Sequence, residues 1–369
     1  MSLSAADKKI ITPVDGVPPV GPYSPGILAG DYLYISGQGA AKPDGSFPAT
    51  TEEQTDQTLT NVRRIVEGAG LTMEHVVYAH VYLKDIAGID DMNRAWRKVF
   101  PANPPARVVL GIHKMPVDTP VEITVVAVRD LGTKRVIQPS ALESRGVLTA
   151  DRLYISSCPT LDAMGEVLKA ANLDLRNLAF VNPYVTAKTR IADMNQDYAR
   201  HFESGNTPAR ATIEVAALPG GAGIAFTGVA ARDLAQRRAV RPKNMPPSPT
   251  ASPCVFIGDT LFCSAKAGFI PGPNGGIYAS TVETQLRQTM RNLLDGLEEA
   301  GMTFADVVAT NVYLDDVGEF TRMNKVYAEY FGKIPPTRTT LQPAPSVERK
   351  PAANDHWPTL EQISLIAVK

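Results

Sequence analysis

The sequence predicts an α+β chain of three tandem units, each a mixed sheet with two helices on one face. Three recurring segments predict it. Pro105-Ala106-Arg107 returns as Pro208-Ala209-Arg210 and, loosened, as Pro336-Thr337-Arg338. The strand-like run Asp31-Tyr32-Leu33-Tyr34-Ile35-Ser36 returns as Asp151-Arg152-Leu153-Tyr154-Ile155-Ser156 and as Asp259-Thr260-Leu261-Phe262-Cys263-Ser264. The helix opening Asp91-Met92-Asn93 returns as Asp193-Met194-Asn195 and as Arg322-Met323-Asn324. The three segments keep their order each time, which marks a repeated structural unit.

Within the first unit, Thr51-Glu52-Glu53-Gln54 has the pattern of a capping box and opens a helix. Leu59, Val62 and Val66 then lie three and four apart, and Gly68 and Gly70 end the stripe. Val76 to Leu83 is apolar at both parities, so it reads as a strand buried on both faces. Asp90 is expected to cap a second helix carrying Met92, Ala95, Trp96 and Val99. Val108 to Ile112 and Val121 to Val128 are expected to pair as a hairpin around Met115-Pro116-Val117-Asp118. The order is strand, strand, helix, strand, helix, strand, strand. Helices cover one sheet face, and the other apolar face is covered when three such sheets pack together.

The offset from unit one to unit two falls from 120 (31 to 151) to 102 (91 to 193), so unit two has lost about 18 residues after its first strand. Unit three has its main insertion at Leu341 to Trp357. We place the units at 1–131, 132–240 and 241–369, with a proline-rich linker from Arg237 to Pro249.

Lys plus Arg is 37 and Asp plus Glu is 38, a formal net charge of −1. Balanced charge gives no electrostatic reason to expect nucleic acid or an anionic membrane as partner. No apolar run approaches the ~20 residues needed to span a bilayer. The N-terminus lacks a signal-peptide pattern. Cys158, Cys254 and Cys263 lack metal-ligand spacing and read as reduced, partly buried thiols. These features lead us to expect a cytoplasmic protein. Five scattered histidines, the absence of nucleotide or zinc motifs, and the turn-like Gly272-Pro273-Asn274-Gly275-Gly276 imply no cofactor and no metal.

Arg107 lies in a strand otherwise apolar, where a guanidinium needs a partner. Its planar fork suits a substrate carboxylate, and the alternative is an ion pair with a protein carboxylate. In the expected hairpin, Glu122 lies one diagonal step away on the same face, at roughly 7–8 Å. A carboxylate there can hold and activate water, or it can neutralise the arginine. Unit two puts Ala225 at the Glu122 position and unit three puts Gln362 there, while Arg210 and Arg338 keep the arginine.

Gly21-Pro22-Tyr23-Ser24-Pro25, Ile35-Ser36-Gly37-Gln38, Asn93 and Pro105-Ala106-Arg107 with Glu122 resemble the RidA/YjgF family of reactive-intermediate deaminases. The full pattern lies in unit one, and units two and three resemble diverged relatives. The resemblance implies a chorismate-mutase-like fold and a pseudo-trimer made by one chain, monomeric at about 40 kDa, with a dimer left open. It implies cofactor-independent hydrolysis of a small-molecule carboxylate bearing an imine or enamine. Arg107 and Glu122 would be catalytic, as carboxylate binder and water-holding acid/base. Tyr23, Ser36, Gly37, Asn93, Arg210 and Arg338 would bind substrate, Ser36 and Gly37 through backbone groups, although Asn93 serves equally as a helix cap. Two alternatives stay open. One is a chorismatase-like or other pathway enzyme on the same pseudo-trimer fold, and the other is a non-catalytic carboxylate-binding protein. Which unit faces which arginine is open at this level, because sites of this family lie between subunits.

Overall fold

The computed structural model describes residues 8–13, 15–140, 142–243, 245–272, 276–352 and 356–369. Unit one comprises β1 (Lys9–Ile11), β2 (Gly26–Ala29), β3 (Tyr32–Gly39), α1 (Thr51–Gly68), β4 (Val76–Leu83), α2 (Ile89–Val99), β5 (Ala106–Gly111) and β6 (Val121–Val128). Unit two follows with β7 (Arg135–Ile137), β8 (Gly146–Leu148), β9 (Arg152–Cys158), α3 (Leu161–Ala170), β10 (Leu178–Val185), α4 (Ile191–Tyr198), β11 (Ala209–Arg210), β12 (Ile213–Glu214) and β13 (Ile224–Ala231). Unit three has β14 (Arg237–Val240), β15 (Cys254–Ile257), β16 (Thr260–Ala267), α5 (Val282–Glu299), β17 (Val307–Leu314), α6 (Phe320–Tyr327), β18 (Thr337–Leu341) and β19 (Glu361–Val368). Three mixed sheets result, each with two helices.

The first sheet runs β1-β2-β3-β6-β4-β5, and the third repeats it as β14-β15-β16-β19-β17-β18. This corrects the expected hairpin. β5 pairs in parallel with β4, Ala79 opposite Arg107, and β6 pairs antiparallel on the other side of β4, Tyr82 opposite Glu122. The reason is the crossover: a strand–helix–strand connection through α2 makes β4 and β5 parallel neighbours. Arg107 and Glu122 are therefore separated by a whole strand. The same registers put Ala225 opposite Tyr184 and Gln362 opposite Tyr313, which fixes both as the counterparts of Glu122.

Other expectations need smaller corrections. Each sheet gains an antiparallel edge strand (β1, β7 or β14) that the apolar pattern does not announce. The start of the expected linker, Arg237–Val240, is that edge strand of the third sheet, so the third unit begins before the expected boundary at 240. Thr50, one residue earlier than expected, caps α1. Its hydroxyl accepts from the Glu53 amide, and the Glu53 carboxylate accepts from the Thr50 amide. Asp90 lies inside α2, which starts after Gly88 with no side-chain cap. All three cysteines are buried, and Cys254 and Cys263 form a disulfide. They stand directly opposite each other in the β15–β16 register, a proximity hidden in the sequence by the intervening turn. Part of the glycine-rich turn at 272–276 lies outside the described residues.

Each unit has its own core between sheet and helices, such as Leu33, Ile65, Val81, Met92 and Ile123 in unit one. A further core belongs to all three. Tyr34 and Tyr78 from unit one, Tyr154 and Val229 from unit two, and Phe262 and Val308 from unit three pack sheet against sheet. At one end Gly111 bridges to Ala217 and Lys114 to Gln342, and the Pro343 carbonyl accepts from the Ala216 amide, so the three units are stitched together by backbone bonds. Among the described residues no helix is long and apolar enough to cross a membrane.

Unit three carries one buried acid where the other units are aliphatic. Glu361 replaces Val121 and Ile224, is 1% exposed, accepts from the Thr289 hydroxyl, and leaves Oε2 without a partner. Burial pushes its carboxyl up to about 8. A carboxyl raised on folding destabilises the native state as pH climbs above its ordinary value near ~4.3, with the full cost reached above about 8. Glu361→Gln should therefore raise the melting temperature by at least about 2 °C more at pH 8.5 than at pH 5.5. Thermal melts at the two pH values check this; equal shifts would contradict it.

Candidate active site

The arginine strand of each unit docks on the next unit. β5 lies against β9, β11 against β16, and β18 against β3, so the contacts run one to two, two to three and three to one. The Ser36 hydroxyl accepts from the Arg338 amide at 2.8 Å and donates to the Ser24 carbonyl at 2.7 Å. Ser264 does the same between Arg210 and Ser252. The Ser24 amide and hydroxyl also donate to the Pro336 and Pro335 carbonyls. Arg338 is thereby held against unit one, and it is Arg338, not Arg107, that shares a cleft with Glu122, Tyr23 and Gly37.

The cleft holds about 90 Å³ of open space and is lined on one side by the loop between β3 and α1, through Ala41 and Phe47. The Asn61 side-chain amide ties that loop down by donating to the Gly39 and Ala41 carbonyls at 3.0 and 2.9 Å. Arg338 is 3% exposed. Its guanidinium carbon sits 5.0 Å from the Tyr23 ring centre, 5.3 Å from Phe320 and 4.8 Å from Tyr327, a cation–π cage. Nη1 reaches the Met323 sulfur at 4.0 Å, while Nε and Nη2 are buried with no partner. These two nitrogens form one edge of the fork, the edge that takes a carboxylate with two parallel hydrogen bonds.

Glu122 is 6% exposed. Burial pushes its carboxyl up to about 8, with Arg338 pulling the other way. The acid is thus largely protonated at neutral pH, and the guanidinium stays uncompensated. Gly37 makes room for this acid: a Cβ there would lie 1.9 Å from Glu122 Oε1. Gly21 makes room for the arginine, since a Cβ there would lie 2.5 Å from Arg338 Nη2. The Tyr23 hydroxyl accepts from the Val20 amide at 3.2 Å, which fixes its ring under the guanidinium. Ser36 does not offer backbone groups as expected. Its amide donates to the Pro25 carbonyl at 3.0 Å and its carbonyl accepts from Gln38, so both are occupied by protein partners.

The other two arginines are held differently. Arg107 Nη2 donates to Asn93 Oδ1 and Arg210 Nη1 to Asn195 Oδ1, each at 2.8 Å. Asn93 therefore positions Arg107 rather than capping α2. In unit three the matching Asn324 Oδ1 is buried without a partner and leaves Arg338 free. Arg107 faces unit two, where the Glu122 counterpart is Ala225. Arg210 faces unit three, where Gln362 donates to the Thr212 carbonyl at 3.5 Å.

A family model described as endoribonuclease L-PSP matches residues 15–129, 140–231 and 244–347. The chain belongs to this family. Its L-PSP units resemble single-unit proteins, among them a RutC family protein of Saccharolobus solfataricus, 39% identical over 32% of this chain and 97% of the relative. A Bos taurus 2-iminobutanoate/2-iminopropanoate deaminase is 33% identical over 34% of this chain and 94% of the relative. Among solved structures, E. coli TdcF with bound serine is 30% identical, covering 33% of this chain and 99% of that chain with a TM-score of 0.32. The threefold match of the family model and the RutC family relative bear out the family read from the motifs.

In this triple L-PSP chain, sequence reasoning missed Phe320, Tyr327 and Met323 around Arg338, and the role of Gly21. A signal was present: Tyr327 and Tyr198 recur at one helix position, each a turn beyond the recurring Asn. Gly37→Ala should displace the Glu122 carboxyl and bring it toward the ordinary carboxylate range. Carboxyl ¹³C NMR would show the titration near pH 8 moving down by at least about one unit; an unmoved resonance would contradict the packing described.

Proposed function

We propose that the cleft between units three and one hydrolyses a small carboxylate-bearing imine or enamine to a keto acid and ammonia. The observation that carries this is the unpartnered Nε–Nη2 edge of Arg338 beside a protonated Glu122. The family includes imine deaminases, as the bovine relative's name states. Arg338 takes the substrate carboxylate in two parallel bonds, and the aromatic cage and buried setting strengthen that pairing. Glu122 donates its proton to the imine nitrogen, which makes the carbon electrophilic. The resulting carboxylate removes a proton from the attacking water, giving a carbinolamine and restoring the acid. Glu122 then protonates the departing nitrogen and takes the hydroxyl proton as the carbonyl forms. Ammonia leaves, and no cofactor enters the balance.

This reading transfers the carboxylate-binding role from Arg107 to Arg338 and keeps Glu122 as acid/base. With freshly generated 2-iminobutanoate, Glu122→Gln should lower kcat by roughly 10²–10⁴. Arg338→Ala should lower kcat/KM chiefly through KM, while Arg107→Gln should stay close to wild type. An Arg107→Gln loss as large as that of Arg338→Ala would contradict the assignment.

The acid role also sets the pH dependence. The free site needs Glu122 protonated, so kcat/KM should be level below, and fall above, about pH 8. A rate that rises through pH 8 would make Glu122 a base from the outset and overturn this sequence of steps.

A further inference from the structure

The cleft between units one and two has lost its acid and gained positive charge. Arg107 lies over the Trp96 ring at 4.7 Å, held by Asn93 and by the Met92 sulfur at 3.6 Å. Arg97 stands one helical turn beyond Asn93, on the same face of α2. Arg145 comes from unit two, just before β8, where its amide donates to Ser156 Oγ at 2.9 Å. That bond replaces the one Ser36 and Ser264 make to Arg338 and Arg210. Arg145 and Arg97 both act on Arg107, adding to burial in bringing its guanidinium down to about 10. Among the described residues none of the three has a carboxylate partner; Glu143, two residues before Arg145, is exposed and pairs with none of them.

This concentration of guanidinium groups is particular to one cleft. The counterparts of Arg145 are Pro25 and Pro253, and those of Arg97 are Ala199 and Ala328. The loop that lines the Arg338 cleft is also missing here. Unit one has eleven residues between β3 and α1, including Phe47 over the Arg338 site, whereas in unit two only residues 159–160 join β9 to α3, and α3 has 10 residues against 18 in α1. Three like charges drawn together without a counter-charge are costly, and an anion between them removes that cost. A monoanion leaves most of the excess; a compact tetrahedral oxyanion matches several guanidinium forks at once.

We propose that the cleft between units one and two binds a phosphate group, free or as a monoester, through Arg107, Arg145 and Arg97, without turning it over. Ala225 leaves no acid for proton transfer there, and the missing loop admits a ligand larger than the Arg338 cleft takes.

Calorimetric titration of the full chain with inorganic phosphate at low ionic strength tests this. One site per chain is expected, weakened about tenfold or more by Arg145→Gln and by Arg107→Gln and unchanged by Arg338→Gln. Trp96 fluorescence in a Trp357→Phe background should report the same binding, because Arg107 covers the indole. Arg145→Lys, which keeps the charge and loses the fork, should bind between wild type and Arg145→Gln, and matched thermal melts show that each variant folds. Glycerol phosphate binding alongside inorganic phosphate identifies a monoester site; inorganic phosphate alone identifies a free-ion site. Absence of saturable binding at millimolar phosphate, an unchanged affinity in Arg145→Gln, loss of binding in Arg338→Gln, or tighter binding of succinate than of phosphate by the Arg338→Gln chain would each overturn the proposal. Because Arg338→Gln is the control, failure here leaves the hydrolytic reading of the other cleft standing.

Discussion

The structure turns on one buried guanidinium that the protein itself does not neutralise. Arg338 lies between Tyr23, Phe320 and Tyr327, with two nitrogens of its fork buried and unpartnered. An uncompensated buried charge costs several kcal/mol unless a partner arrives. The carboxyl that shares its cleft, Glu122, is itself buried and held largely neutral at pH 7. The two groups stay apart in charge because burial penalises ionisation of the acid more than the arginine favours it. The cleft therefore presents a cation and a proton donor together, the pair of groups that a carboxylate with an adjacent imine requires.

That arrangement depends on the packing of three units against one another. Each unit supplies an arginine strand to one neighbour and a glutamate-position strand to the other, so no unit holds a complete site. Three identical units would give three identical clefts. Here the copies have diverged, and the clefts diverge by combination: Arg338 with Glu122, Arg107 with Ala225, Arg210 with Gln362. Loss of the acid in unit two alters a cleft whose arginine belongs to unit one. Within a unit the neighbours of the acid vary with it: Gly37 makes room for Glu122 in unit one, and where the acid is absent, Ser157 and Ala265 replace the glycine.

Much of the architecture was legible because it repeats. The strand Asp31 to Ser36, the Asn-bearing helix and the arginine strand recur in fixed order, and the two-faced apolar pattern of Val76 to Leu83 demanded cover from another sheet. The site was legible as residues but not as a constellation. Arg107 and Glu122 are close in sequence, and pairing them assumed a hairpin. The connection through α2 makes β5 a parallel neighbour of β4, with β6 on the other side of β4, and side-chain periodicity does not carry that strand order. The edge strands β1, β7 and β14 escaped notice because three or four half-exposed residues leave no clear alternation. The Cys254–Cys263 pair escaped because strand register, not spacing, brings it together. The cage around Arg338 was hidden because it joins Phe320 and Tyr327 of unit three to Tyr23 of unit one, residues far apart in the sequence.

The most direct test of the account is the structure of the chain with a bound 2-keto acid, the product of the proposed reaction. The account predicts the carboxylate on Nε and Nη2 of Arg338, the keto oxygen toward Glu122, and the ring of Tyr23 against the ligand. A keto acid bound at Arg107 or Arg210, with the Arg338 cleft empty, would contradict it.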